Sequence, residues 1–248
     1  MGWLLAIGGF ISTVVQWVSS QWPVISEVGK KIAETVVDVK GIFEGKEDFR
    51  ESIERIPNAA ADNKIFHLKM QSLELANGSQ FAERFSANLG IHISNLKIHF
   101  HSIKNICLLF EFNKWTYERV EALSSAVFKG KKKNVESDKA QIIFETLADS
   151  IVNHYDAFKQ TKKLIEAECR EFYVHLEDQR GKINEMLKVI NKLNNPNKAT
   201  LANWLTKVTP RIERARGQIA VLEAEMRNIE GLEIPEKFIT NKQDKLLD

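Results

Sequence analysis

The chain has 248 residues, 35 of them basic and 33 acidic, and its formal charge of +2 gives no grounds for a nucleic-acid partner. Only 12 glycines and 5 prolines punctuate it, too few for a strand-and-turn protein and in keeping with long helices. Two cysteines, Cys107 and Cys169, exclude a disulfide-rich scaffold and a four-cysteine zinc site.

Residues 1–26 carry no charged side chain, and Glu27 is the first ionisable one. At 100° per residue, Gly9, Ser12, Thr13, Gln16, Ser19 and Ser20 share an arc of about 120°. Trp3, Leu4, Ile7, Phe10, Ile11, Val14, Val15, Trp17 and Val18 take the remainder, with Leu5 alone on the polar side. Ordinary surface helices put Lys or Glu on the wet face. A stripe of hydroxyls, amide and glycine suits a helix that leaves bulk water, because a charge costs about 2.5–3.5 kcal/mol on insertion scales and a hydroxyl far less. The segment reads as a membrane-inserting helix, with the apolar residues toward lipid and the polar stripe toward a lumen or toward one another.

Other readings of this segment fit less well. A secretory signal would have a basic n-region, and Thr13 and Gln16 interrupt the apolar run. A permanent anchor is too short: residues 3–18 make about 24 Å of helix against a core of about 30 Å. Ala6 stands where a myristoylation signal needs Ser or Thr. A first helix buried in a bundle core is the plain alternative.

Pro23 is expected to end the leader and act as its hinge, since it lacks the backbone donor and disfavours helix at Trp22. A second helix is predicted from Val24 to about Arg55, with Val24, Val28, Ile32, Val36, Val39 and Phe43 inward. Gly41 and Gly45 are places where it bends or ends before Pro57. A third element is predicted from about Ala59 to Phe112, with Asn77-Gly78 and Gly90 as weak points. Its later part, Leu89, Ile93, Leu96, Phe100, Ile103, Cys107 and Phe110, steps by four and three as a coiled-coil seam does. Short alternations at 91–93 and 97–101 would suit strands of a membrane tongue, but the longer seam favours helix.

After Trp115–Phe128 comes the dense basic run Lys129, Lys131, Lys132 and Lys133, predicted to meet lipid headgroups at about 1 kcal/mol per lysine. Ser137 is a plausible N-cap for a helix to about Leu193. Its stripe runs Phe144, Leu147, Ile151, Tyr155, Phe158, Ile165, Cys169, Phe172, Leu176, Ile183, Leu187 and Ile190. A turn at 194–197 leads to a fourth long helix marked by Leu201, Leu205, Val208, Ile212, Ala215, Ile219, Leu222, Met226 and Ile229, with a kink expected at Pro210. Residues 231–248 read as a loose tail.

The expected fold is therefore all-α: an elongated antiparallel bundle with coiled-coil-like packing over residues 24–230, preceded by a membrane-active helix at 1–22. Long side-by-side helices with a neutral amphipathic leader resemble the cytolysin A-like α-helical pore-forming toxins. Bin/amphiphysin/Rvs domains resemble the pattern too, with long helices, an amphipathic leader and basic tips. Both resemblances rest on shape and on residues 1–22, without a diagnostic motif. The first implies insertion, homo-oligomerisation and a pore. The second implies a dimeric surface scaffold, whose flat-lying leader normally carries Lys or Arg on its polar face. A purely structural coiled coil, with residues 1–22 as core, is the third possibility.

Catalytic signatures are absent from the sequence: it has no phosphate loop, no Gly-x-Ser-x-Gly elbow and no His-Glu-x-x-His helix. No cofactor, metal, small-molecule substrate or nucleic acid is expected, and the partner is a lipid membrane. The protein is expected to pass from a soluble to a membrane-bound form, with cytoplasmic and secreted origins both open. His92 and His99 sit about 10.5 Å apart along a helix, too far to share a metal, so the His92, His99 and His101 cluster reads as seam-edge histidine or a pH switch. Asn77-Gly78-Ser79 matches a glycosylation sequon, and Glu223 and Glu225 read as solvated surface.

Overall fold

A computed structural model describes residues 2–57, 63–127 and 134–239, and within them the protein is an all-α bundle with no strand. The helices are α1 (Gly2–Gly41), α2 (Lys46–Glu54), α3 (Asn63–Val127), α4 (Asn134–Ile190), α5 (Lys198–Arg227) and the short α6 (Glu236–Ile239). Packing divides the chain into two compact units. Unit one comprises Met1–Ser26, Ser94–Lys162 and Ile229–Asp248, and unit two Glu27–Ile93 and Lys163–Asn228. The charge-free stretch of the sequence is the same stretch of α1 that belongs to unit one.

Pro23 does not end the first helix: α1 runs through it to Gly41. Buried positions continue on one stripe across the proline, from Val14 and Val18 through Gln21 to Ile25, Val28 and Ile32. Packing on both sides outweighs a local cost of about 3 kcal/mol. Pro23 and Ser19, whose carbonyl loses its helical donor, both face solvent. The bend expected near Gly41 and Gly45 is present. Gly45 adopts φ 79, and a side chain there would meet the Trp204 indole nitrogen at 3.1 Å, so only glycine turns this corner without strain.

In unit two, α1 and α5 run antiparallel, joined by Gln218 Nε2 donating to Asp38 at 2.5 Å and Arg211 Nη1 donating to the Gly41 carbonyl at 3.0 Å. Phe49 of α2 stacks on Trp204 of α5 at 4.3 Å, and Phe85 of α3 stacks on Phe172 of α4 at 4.1 Å. The predicted α5 stripe is buried throughout, and Pro210 lies within an unbroken helix.

The α3 seam from Leu89 to Phe110 is likewise buried in full, which rules out the strand reading of 91–93 and 97–101. Neither Asn77-Gly78 nor Gly90 interrupts α3. Helix α4 starts three residues before the expected cap at Ser137, and Ala148 and Met186 are more deeply buried than Leu147 and Leu187. Within the expected tail, Leu232 is buried and Phe238 stacks on Phe10. Lys129, Lys131, Lys132, Lys133 and residues 240–248 lie outside the described residues.

Candidate functional site

In unit one α1 lies antiparallel to α3 and parallel to α4, as its ring contacts show. Trp3 packs on Tyr117 and Phe144, with centroids 6.4 and 5.8 Å apart, and Trp17 packs on Phe100, Tyr155 and Phe158 at 5.4–5.6 Å. Ile7, Phe10, Ile11, Val14, Trp17 and Val18 are buried, and Trp3 and Leu4 are half-buried. Six such side chains at about 1.5–3 kcal/mol each represent a gross burial of about 10–20 kcal/mol. Val15, placed with the apolar set by sequence, is instead 41% exposed, while Leu5 points outward at 78% as its position on the helix requires.

Gly9, Ser12, Thr13, Gln16, Ser19 and Ser20 all face solvent. Three of these hydroxyls return a hydrogen bond to their own helix. Thr13 donates to the Gly9 carbonyl at 3.1 Å, Ser19 to Val15 at 2.9 Å and Ser20 to Trp17 at 2.9 Å. A stripe that satisfies its donors internally loses less on leaving water than one that depends on it. By length and composition the amino-terminal helical region is apolar enough to cross a membrane, a property it shares with core helices.

Sequence reasoning missed Gln21 and Glu230, and with them the hydrogen bonds that fasten this helix. The Trp17 indole N–H donates to the Glu230 carbonyl at 2.9 Å. Gln21, 3% exposed, accepts the Glu230 N–H at 2.9 Å and directs its own amide toward the Glu230 carboxylate at 3.4 Å. The Tyr155 hydroxyl accepts the Leu232 N–H at 2.6 Å. One signal was available: Gln21 continues the spacing of Val14, Val18 and Ile25, a polar residue on an apolar stripe that calls for a partner.

The histidine cluster separates. His99 meets His154 of α4, Nδ1 to Nδ1 at 3.3 Å, and His101 packs on Trp22 at 5.2 Å. Burial and the neighbouring His154 hold His99 below the ordinary imidazole value. In unit two, burial pushes His175 down against an opposing backbone hydrogen bond to Gly78. Among the described residues no group of three potential ligands is placed to hold a metal. Cys107 and Cys169 are buried free thiols, pushed up to about 11 and about 12 mainly by burial. Ser79 of the sequon is buried within α3, which leaves no loop there for a glycan acceptor. Neither Glu223 nor Glu225 is simple solvated surface: Glu225 pairs with Lys31 of α1 at 2.5 Å, and Glu223 pairs with Arg227 of its own helix at 3.6 Å and with Arg170 of α4 at 3.8 Å.

A second exposed feature of unit one lies on α3. Leu108, Leu109, Phe112, Trp115, Val120 and Leu123 are each about half exposed or more. They fall in an arc of about 140° that also holds Arg119 but none of Glu111, Glu118 or Glu121. Arg119 lies over the Trp115 ring at 4.7 Å.

No protein family, curated protein or solved structure matches this chain.

Proposed function

We propose that this protein inserts the amino-terminal part of α1 into membranes and that several copies assemble there into a pore. The observation that carries the reading is the pairing of faces on one helix: a buried apolar face and an exposed stripe that is uncharged and partly satisfied by its own backbone. In the soluble form residues 3–18 bury the apolar face in unit one. In the membrane form lipid replaces α3 and α4 as its surroundings, while Ser12, Thr13, Gln16, Ser19 and Ser20 turn toward one another or a wet lumen. Both environments bury the same apolar surface, so the gross burial largely cancels between the two states and a modest differential interaction tips the balance. Trp17 and Trp22 suit the headgroup layer, where indole presents one apolar and one polar side. The lysines at 129, 131, 132 and 133 add attraction to anionic lipid.

The test is dye release from liposomes by a Trp3→Cys/Tyr117→Cys protein, before and after a short bis-maleimide bridges the two thiols. The native rings at these positions touch at 6.4 Å. Leakage from the unbridged protein and none after bridging is the expected result, and equal leakage from both overturns the reading.

A second reading, a scaffold lying on the membrane without crossing it, is favoured by the acid-free exposed face of α3. Six large apolar side chains beside one arginine suit shallow insertion at the headgroup boundary. Vesicle binding without leakage would select this reading.

A further inference from the structure

After α5 the chain runs without helix from 230 to 235 and then forms α6, which ends the described residues. A helix satisfies its backbone within itself, but this stretch is held from outside. Its backbone meets Trp17 and Gln21 of α1 at Glu230, Lys162 of α4 at the Ile229 carbonyl (3.0 Å) and Tyr155 of α4 at the Leu232 N–H. Apolar anchoring comes from Ile229 and Leu232, both buried, and from Phe238 stacked on Phe10 of the leader at 4.5 Å.

We propose that residues 229–239 are a releasable latch that holds the leader's apolar face inside unit one. The proposal rests on the reading of that leader as a membrane-inserting helix. Residues 3–18 are covered by α3, α4 and this segment. Withdrawing α3 or α4 means unpacking their common aromatic seam, which includes the Phe110–Phe144 and Phe100–Phe158 contacts. Withdrawing the segment breaks a few side-chain-to-backbone bonds that water can replace and uncovers Ile229, Leu232 and one ring stack, less apolar contact than the seam of α3 and α4 holds. Trp17 and Gln21 belong to the leader, so leader and latch hold each other. Freeing either lowers the cost of freeing the other, as linkage requires. The latch is thus the cover that opens first.

The experiment is hydrogen exchange, read by mass spectrometry, on the intact protein and on Leu232→Ser/Phe238→Ser. Amides of residues 3–22 should exchange about tenfold faster or more in the variant, while α2 and α5 in unit two keep wild-type rates. Gln21→Leu, which keeps volume and removes both bonds to Glu230, should act in the same direction, and it decides the matter if the double variant does not fold. Unchanged exchange in 3–22, or equal acceleration in both units, overturns the latch. Dye release from the same samples separates the two claims. Faster leader exchange without release by any protein upholds the latch and removes membrane insertion. Faster release with unchanged exchange upholds insertion and removes the latch.

Discussion

Charging the exposed stripe would separate the two states proposed for the leader, because Ser12 and Gln16 face solvent one turn apart. In Ser12→Glu/Gln16→Arg the new carboxylate and guanidinium stand at i and i+4 in the favourable order, worth about 0.3–0.5 kcal/mol on a surface helix. Neither touches the buried face of Ile7, Phe10, Ile11 and Val14, so soluble stability should stay within about 0.5 kcal/mol of wild type. In the bilayer each charge costs about 2.5–3.5 kcal/mol, and the pair costs about 5–7 kcal/mol unless both line a wet lumen. A cost of that size lowers the inserted population by about four to five orders of magnitude. Thermal melts by circular dichroism should therefore overlay wild type, while dye release from liposomes falls below detection. If both charges line the lumen instead, release persists with altered ion selectivity. Overlaid melts together with wild-type leakage and wild-type selectivity would refute the reasoning, since the stripe then neither crosses lipid nor faces a lumen.

Pro23→Ala restores a backbone donor within a helix that is already continuous, so it should raise the melting temperature and keep the protein's elution volume on size exclusion; early oligomers would show that the proline restrains the leader after all. His99 and His175 are both held below the ordinary value of 6.5, so the unfolded chain takes up protons first. Stability should be intact above that value and fall as pH drops through it, with a shallower acid limb in His99→Gln; urea midpoints across this range check it, and a pH-independent midpoint would contradict it. Replacing Lys129, Lys131, Lys132 and Lys133 by Gln should weaken binding to anionic vesicles at low salt, with the difference vanishing at high salt in co-sedimentation.

Much of the fold was legible because its cause is local periodicity. The step-four, step-three seam from Leu89 to Phe110 and the stripe from Leu201 to Met226 each describe a helix with one buried side, and both are buried as their spacing requires. Gly41 and Gly45 marked a real corner, since the Trp204 contact and the positive φ demand glycine there. Pro23 was misread because its local penalty is visible in sequence, whereas the packing of Val18, Gln21, Ile25 and Val28 that outweighs it is tertiary. The stripe on residues 9–20 was legible as polar and neutral, but the bonds from its hydroxyls to helix carbonyls depend on rotamers that spacing does not set. Residues from 231 onward looked loose because an irregular segment held by Trp17, Gln21 and Tyr155 from distant parts of the chain has no periodic signature. The division into two units is hidden for the same reason: α1, α3 and α4 each contribute to both without a break in pattern.

The central claim is that the leader exchanges a protein environment for lipid, and Trp17 reports on it most directly because it is buried at 6% exposure against Phe100, Tyr155 and Phe158. A protein with Trp3, Trp22, Trp115 and Trp204 replaced by Phe leaves Trp17 as the sole indole. With vesicles of brominated phosphatidylcholine and anionic lipid, its fluorescence should be quenched in step with release of an encapsulated dye. Protein that sediments with these vesicles while Trp17 stays unquenched would contradict the account.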